Sequence, residues 1–164
     1  MTASDPAASP TPEGLHAARV VAAAASWIGT PYRHQGSRKG VGCDCLGLVR
    51  GVWRDLVGPE PAPLAPYTPD WAEMRDDDPL LEAMRRHLVP NAAHAAGTVL
   101  VLRWRTGAAA KHCGILSAPD RMIHAYSGHG VLESPLTPSW ASRVAARFAF
   151  PTEGPVPEAS TVQE

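Results

Sequence analysis

The sequence predicts an α+β domain in which helices precede an antiparallel sheet. Up to about residue 88 the apolar residues recur at helical spacing. From Gly97 onward, short β-prone runs alternate with turn residues. The size suits this reading: 164 residues, 45% of them hydrophobic, make one domain that can bury a core without staples. Lys plus Arg is 15 and Asp plus Glu is 16, a balance that argues against a nucleic-acid partner. Three cysteines is an odd number and argues against a disulfide framework. No run approaches the ~18 consecutive apolar residues of a membrane span, so no membrane insertion is expected. The opening MTASDPAASPTPEG lacks the basic start and apolar centre of a secretory signal, so synthesis in the cytoplasm is expected.

Residues 1–13 are rich in Pro, Ala, Ser and Thr and read as a disordered tail. Residues 152–164 read the same way, leaving one domain over 14–151. The first helix is expected over 14–28, where Leu15, Ala18, Val21, Ala22, Ala25 and Ile28 share a face and Gly29 is a natural stop. Pro31 then turns the chain. Residues 33–42 carry Arg33, Arg38 and Lys39 and read as a solvated loop. The second helix is the clearest element: Cys45, Leu48, Val49, Val52, Trp53 and Leu56 form one stripe, and Gly58 with Pro59 ends it. Asp44 stands where an N-cap belongs, because its carboxylate can accept from the open amides of the first turn. After a proline-rich connection over 60–69, Asp70 and Glu73 have the spacing of a capping box, so a short helix is expected from Asp70. A third helix follows from residue 79 to 87 or 88, with Asp78 as cap, Pro79 as first residue and Pro90 beyond its end.

Strands are expected at 98–104, 111–117, 121–126, 130–136 and 144–150, with Gly107, Pro119, Asp120, Gly128 and Pro138 in the turns between them. A turn centred on Pro119 sets His112 opposite Tyr126 and His124 opposite Gly114. The two histidines then share a face as diagonal neighbours, ~7–8 Å apart along the strands. A one-residue slip would separate them onto opposite faces.

This pattern places chemistry at Cys45. A thiol in the first turn of a helix feels the positive end of the dipole and titrates at roughly 3.5–7.5 instead of ~8.5. The neighbouring charge of Asp44 opposes a thiolate, and capping is expected to turn that carboxylate toward the amides. A cysteine here also fits a small buried apolar residue. The histidine pair favours the nucleophile, since a thiolate needs a proton donor for its leaving group and a second imidazole can fix the first in one tautomer. A structural zinc site built from Cys43, Cys45, His112, Cys113 and His124 is disfavoured. Cys-x-Cys is not the usual zinc spacing, and Cys113 should point away from His112 because strand neighbours alternate faces. His16, His34, His87 and His94 have no partner pattern and are expected at the surface, and His129 in a turn.

The run WIGTPYRHQGSRKGVGCDCLGLVRGVW, together with the later histidines, resembles the NlpC-type cell-wall peptidases, papain-like cysteine enzymes with Pro-Tyr, Asp-Cys-x-Gly-Leu and a histidine motif. PYTPDWAE, PLLEAMRRHL and SPLTPSWASRVAARFAFP resemble the branch found in phage tail-tip and gene-transfer-agent clusters. The resemblance implies a papain-like fold with Cys45 as nucleophile, His112 as general base and acid, and His124 as the residue orienting it. It further implies Tyr32 near the nucleophile and Asp44 in support of the site or substrate, with no cofactor. The implied substrate is the peptide stem of peptidoglycan, cut between D-glutamate and a diamino acid. The implied partners are phage-like tail or baseplate proteins, which would carry the chain to the cell wall. The chain departs from the family pattern at Leu46, often Ser, at Lys111, often Gly, and at Thr98, often acidic. A non-catalytic peptidoglycan-docking module of the same fold is the alternative.

Overall fold

The computed structural model describes residues 11–61 and 78–152. Helix α1, Pro12–Ala25, starts two residues before the expected position because Thr11 caps it, its hydroxyl accepting from the Gly14 amide at 3.1 Å, with proline in the first turn. Pro12 and Glu13, assigned to the tail from composition, therefore belong to the helix. It also ends before Ile28. From Trp27 the amides bond three residues back, to Ala24 and Ala25, and Gly29 turns with φ 90°. Trp27 is thereby buried against the next helix.

Helix α2, Cys45–Leu56, has the predicted cap and stripe: Asp44 accepts from the Gly47 amide, and Leu48, Val49, Val52 and Trp53 are buried. Two glycines set how closely it packs. A β-carbon on Gly51 would stand 1.9 Å from the Trp27 ring, and one on Gly47 would stand 1.8 Å from the Gly36 carbonyl oxygen. The segment read as a solvated loop is folded instead. Strands β1, Ser37–Arg38, and β2, Gly42–Cys43, pair antiparallel, and the Thr30 hydroxyl accepts from the Gly40 amide at 2.9 Å. Basic side chains on a two-residue hairpin leave no apolar alternation, which is why the pattern reads as loop.

Helix α3, Pro79–His87, begins at the predicted cap, Asp78. The same carboxylate accepts from the Ala110 amide at 3.1 Å and pairs with Arg103 at 2.8 Å, so it ties α3 to the segment leading into the second half of the chain. The helix expected from Asp70 lies outside the described residues.

The sheet has six antiparallel strands: β3 (Val89–Pro90), β4 (Val99–Leu102), β5 (His112–Ala118), β6 (Arg121–Tyr126), β7 (Gly130–Pro135) and β8 (Val144–Ala149), in the order β3-β8-β4-β5-β6-β7. The five expected strands are present, β6 with the expected bounds, β5 shifted by one residue and the others trimmed at their ends. The added β3 is a two-residue edge too short to announce itself. The predicted β5–β6 register holds, with Ile115 opposite Ile123 and Leu116 opposite Met122, and a bulge near the turn takes up the extra residue. On one face Val99, Val101, Cys113, Ile115, Ile123 and Ala125 join the helices in the main core. On the other, Leu100, Leu102, Leu116 and Met122 form a smaller cluster under Trp140 of α4, Pro138–Ala141, a single turn capped by Thr137. That turn was read from sequence only as a break at Pro138. Among the described residues no helix is long and apolar enough to cross a membrane.

Gly47→Ala tests the close approach. Its methyl meets backbone rather than a yielding side chain, so the hairpin must move away from α2. The expected loss is about 2–3 kcal/mol of stability, read by urea unfolding, the upper part of the range for overpacking. Gain of stability, as for an ordinary helical Gly→Ala change, would show the contact is not rigid.

Candidate active site

Cys45 is the first residue of α2, and the fold brings it to the start of β5. Asp44, buried at 3% exposure, holds the helix start from both sides. One carboxylate oxygen accepts from Gly47 at 2.7 Å and the other from the Gln35 amide at 2.8 Å. Capping thus turns its charge toward amides, as expected. The Cys45 and Leu46 amides, at the open end of the helix, keep no protein partner among the described residues.

Two successive residues of β5, His112 and Cys113, act on the Cys45 thiol. Alternation does hold, since Cys113 joins the helix-side core while His112 packs with aromatics, but α2 begins where both can meet its first residue. The Cys45 thiol is held well below its ordinary value, first by the Cys113 hydrogen bond, then by the hydrogen bond and positive charge of His112, against burial and the charge of Asp44. Cys113 is pushed well above its ordinary value, by that same hydrogen bond and by burial, and so stays a donor. Cys43, fully buried, is pushed up to about 12 by burial and by the charges of Asp44 and Cys45. That Cys113 acts on Cys45 carries no spacing signal in the sequence. Among the described residues no cluster of three His, Cys, Asp or Glu is placed to hold a metal ion.

Behind Cys45 runs a line of hydrogen bonds. His112 Nε2 lies 2.7 Å from His124 Nδ1, and His124 Nε2 lies 2.8 Å from the Ser134 hydroxyl. With Nε2 engaged, His112 has Nδ1 left for the thiol. When His112 carries its second proton, it donates to His124 Nδ1, and His124 bears its own proton on Nε2, toward Ser134. Burial and the charge of His112 push His124 down to about 3, which keeps it the neutral acceptor this order needs. Ser134 comes from β7, opposite Met122, and shares the histidine face. No pattern in the sequence marks it.

The two imidazoles are boxed by aromatic rings. Trp104 stacks on His112 with centroids 5.6 Å apart, and Trp140 sits 5.5 Å from both histidines. Tyr126 lies edge-on to His112 and carries His129 stacked on its other side. Tyr32 is paired with Cys43 through a short parallel bridge. Its hydroxyl is pushed up to about 12 by burial and by the charges of Cys45 and Asp44. The structure therefore brings all five sequence-selected residues, Tyr32, Asp44, Cys45, His112 and His124, to one place. His16 and His94 instead bond the carbonyls of Phe150 and Pro119, and His34 lies 3.9 Å from Asp44.

A lowered thiol at a helix start, an imidazole within reach and a second imidazole fixing the first are the parts that nucleophilic chemistry on a carbonyl requires. Residues 29–148 match the sequence profile of the NlpC/P60 family, and the chain belongs to that family. The family resemblance read from the sequence agrees. Solved structures share the fold. The NlpC/p60 domain of the peptidoglycan hydrolase SagA is similar at TM-score 0.53 and 22% identity, over 81% of this chain and 97% of that one. A Bacillus cereus ATCC 10987 NlpC/P60 protein is similar at TM-score 0.56 and 18% identity, over 80% and 39%. NlpC2 from Trichomonas vaginalis is similar at TM-score 0.54 and 17% identity, over 82% and 46%. The chain thus spans nearly all of the SagA domain and less than half of the other two. A search of the curated proteins finds no match.

The depressed His124 has a consequence for stability. Between its ordinary 6.5 and about 3 the unfolded chain takes a proton that the folded chain refuses. Stability is therefore full above pH 6.5 and falls as pH drops through that window. Urea unfolding at pH 7 and pH 4.5 should show the wild type losing about 2–3 kcal/mol more than His124→Gln, which has nothing to protonate there. Equal losses would mean that His124 accepts a proton in the folded state.

Proposed function

We propose that this chain is a cysteine peptidase that hydrolyses the peptide stems of bacterial peptidoglycan, at the bond joining D-glutamate to a diamino acid. The observation that carries the reading is the line from His112 through His124 to Ser134, with His112 among the groups that hold the Cys45 thiol low. Family membership supports the substrate class, as does the fold shared with a domain of a peptidoglycan hydrolase.

The chemistry follows from the geometry. The Cys45 thiolate attacks the scissile carbonyl, and the negative charge moves onto the carbonyl oxygen, where the unengaged Cys45 amide is placed to donate. His112 passes its Nδ1 proton to the leaving amine as the C–N bond breaks, which leaves a thioester. His112 then takes a proton from water, the hydroxide adds to the thioester carbon, and the carboxylate departs as the thiol reforms. His124 stays neutral throughout and holds the ring of His112, with Ser134 fixing its tautomer. Tyr32 and Asp44 shape the nucleophile's side of the cleft.

Mass spectrometry of purified peptidoglycan after incubation should show new amine and carboxylate ends with the wild type and none with Cys45→Ala. On one muropeptide His112→Ala should lose ~10²–10⁴-fold in rate, the range for general acid–base catalysis. His124→Ala, which removes only orientation, should lose less. Products unchanged from the Cys45→Ala control would favour the docking module, and a greater loss in His124→Ala would reverse the two roles.

The same proposal includes delivery by a phage-like particle, at the tail tip where the wall must be opened. Its support is the likeness of PLLEAMRRHL and SPLTPSWASRVAARFAFP to chains of that setting. Proteomics of purified particles should find the chain. Its absence from particles, with the protein present in the producing cells, would point to action outside the particle.

A further inference from the structure

Beside Trp104 lies a cavity of about 360 Å³ lined by Trp104, Arg103, Arg105 and Arg143 and, among the described residues, by no carboxylate. Arg103 is engaged, donating to Asp78 at 2.8 Å and to the Ala108 carbonyl. Arg143 is different. Its guanidinium carbon stands 5.6 Å from the Trp104 centroid and 6.0 Å from that of Trp140, and it forms no ion pair among the described residues. Arg105, exposed on the loop after Trp104, also has none.

The position of Arg143 is built by the backbone. Its amide donates to the Trp140 carbonyl at 3.0 Å, which closes α4, and its carbonyl accepts from the Arg103 amide at 2.8 Å. The β8 strand bulges immediately afterwards, opposite Leu102. A guanidinium beside two aromatic rings keeps its N–H groups, a fork matched to a carboxylate.

The direction of the cleft follows from proton transfer. His112 protonates the leaving amine, so the leaving half of the substrate lies on the His112 side of Cys45. Trp104 stacks on His112 with centroids 5.6 Å apart, and the Arg143 guanidinium carbon stands 5.6 Å from the same Trp104 ring. We propose that Arg143, assisted by Arg105, is a carboxylate-binding subsite for the leaving fragment, and that it selects stems whose diamino acid carries a distal carboxylate, as diaminopimelate does, over lysine stems, which lack one. This rests on the peptidase reading for the identity of the leaving fragment.

The test compares kcat/KM on two tripeptides, L-Ala-γ-D-Glu followed by either meso-diaminopimelate or L-lysine, for wild type, Arg143→Met and Arg143→Lys. The same peptides are titrated by calorimetry into Cys45→Ala and into the Cys45→Ala/Arg143→Met double variant. Wild type should favour the diaminopimelate peptide by about 10- to 100-fold, the worth of a charge-assisted hydrogen-bonded pair. Arg143→Met should bring the ratio close to one. Arg143→Lys, with a point charge in place of the fork, should fall between, and it carries the test if circular dichroism shows Arg143→Met unfolded. Cys45→Ala should bind the diaminopimelate peptide more tightly, and the double variant should lose that preference. Equal cleavage of both peptides by wild type, or a ratio unchanged in the folded variants, overturns the subsite and leaves the peptidase reading standing. Preferential binding with no cleavage of either peptide overturns the peptidase reading and supports the subsite. Equal binding of both peptides to Cys45→Ala overturns the subsite.

Discussion

The buried carboxylate of Asp44 is the constraint on which the rest of the site depends. It accepts one amide from inside α2, at Gly47, and one from outside it, at Gln35. Those two bonds fix where the helix begins and how the β1–β2 hairpin lies against it. They also decide how much the carboxylate harms its neighbour. A negative charge one residue from a thiolate opposes ionisation, but a carboxylate already holding two N–H donors has much of its field directed at them. Gly47 and Gly36 allow the close approach, since any side chain at Gly47 would strike the Gly36 carbonyl, which itself accepts from the Asp44 amide at 3.2 Å. Removing the cap would therefore do more than shorten a helix. It would free the start of α2 to drift from β5, and the contact between Cys45 and His112 would go with it.

Given that anchor, the site sorts its protons by environment. Cys45 is half-buried and is held low by Cys113 and His112, so it favours the anion. Cys43, two residues away but inside the core, favours the thiol. His124 is kept neutral by burial and by the charge of His112, which leaves His112 for the proton transfer proposed above. The aromatic box of Trp104, Trp140 and Tyr126 restrains both rings and limits water around them. It also forms the wall that leads to Arg143, so one set of side chains can serve both proton transfer and substrate choice.

Much of this is legible in the sequence because local rules fix it. The α2 stripe, the Asp44 and Asp78 caps and the β5–β6 register all follow from spacing and turn position, and together they pair the two histidines and aim Cys45. What the sequence hides is contact between distant segments without periodicity. Cys113 follows the alternation rule, yet it still touches Cys45, because where α2 ends against the sheet is a tertiary fact. Ser134 is one polar residue on an edge strand whose alternation would suit many serines. The α4 turn, four residues long, gives too little pattern to separate a helix from a proline bend, so Trp140 and Arg143 could not be placed over the site. The β1–β2 hairpin resembles a loop in the sequence for a similar reason: its order comes from Asp44 and Thr30 reaching across it, not from its own residues.

The central claim is that the fold makes Cys45, and neither other cysteine, a thiolate near neutral pH, and that His112 is part of the cause. Limited alkylation tests it most directly. At pH 6 the native protein is treated with a limiting amount of iodoacetamide, and the labelled peptides are mapped for wild type and for His112→Ala. The account predicts that Cys45 is labelled first in the wild type, with Cys43 and Cys113 protected, and that His112→Ala slows this labelling while Cys43 and Cys113 stay unreactive. Labelling of Cys43 ahead of Cys45, or a Cys45 rate unaffected by loss of His112, would contradict it.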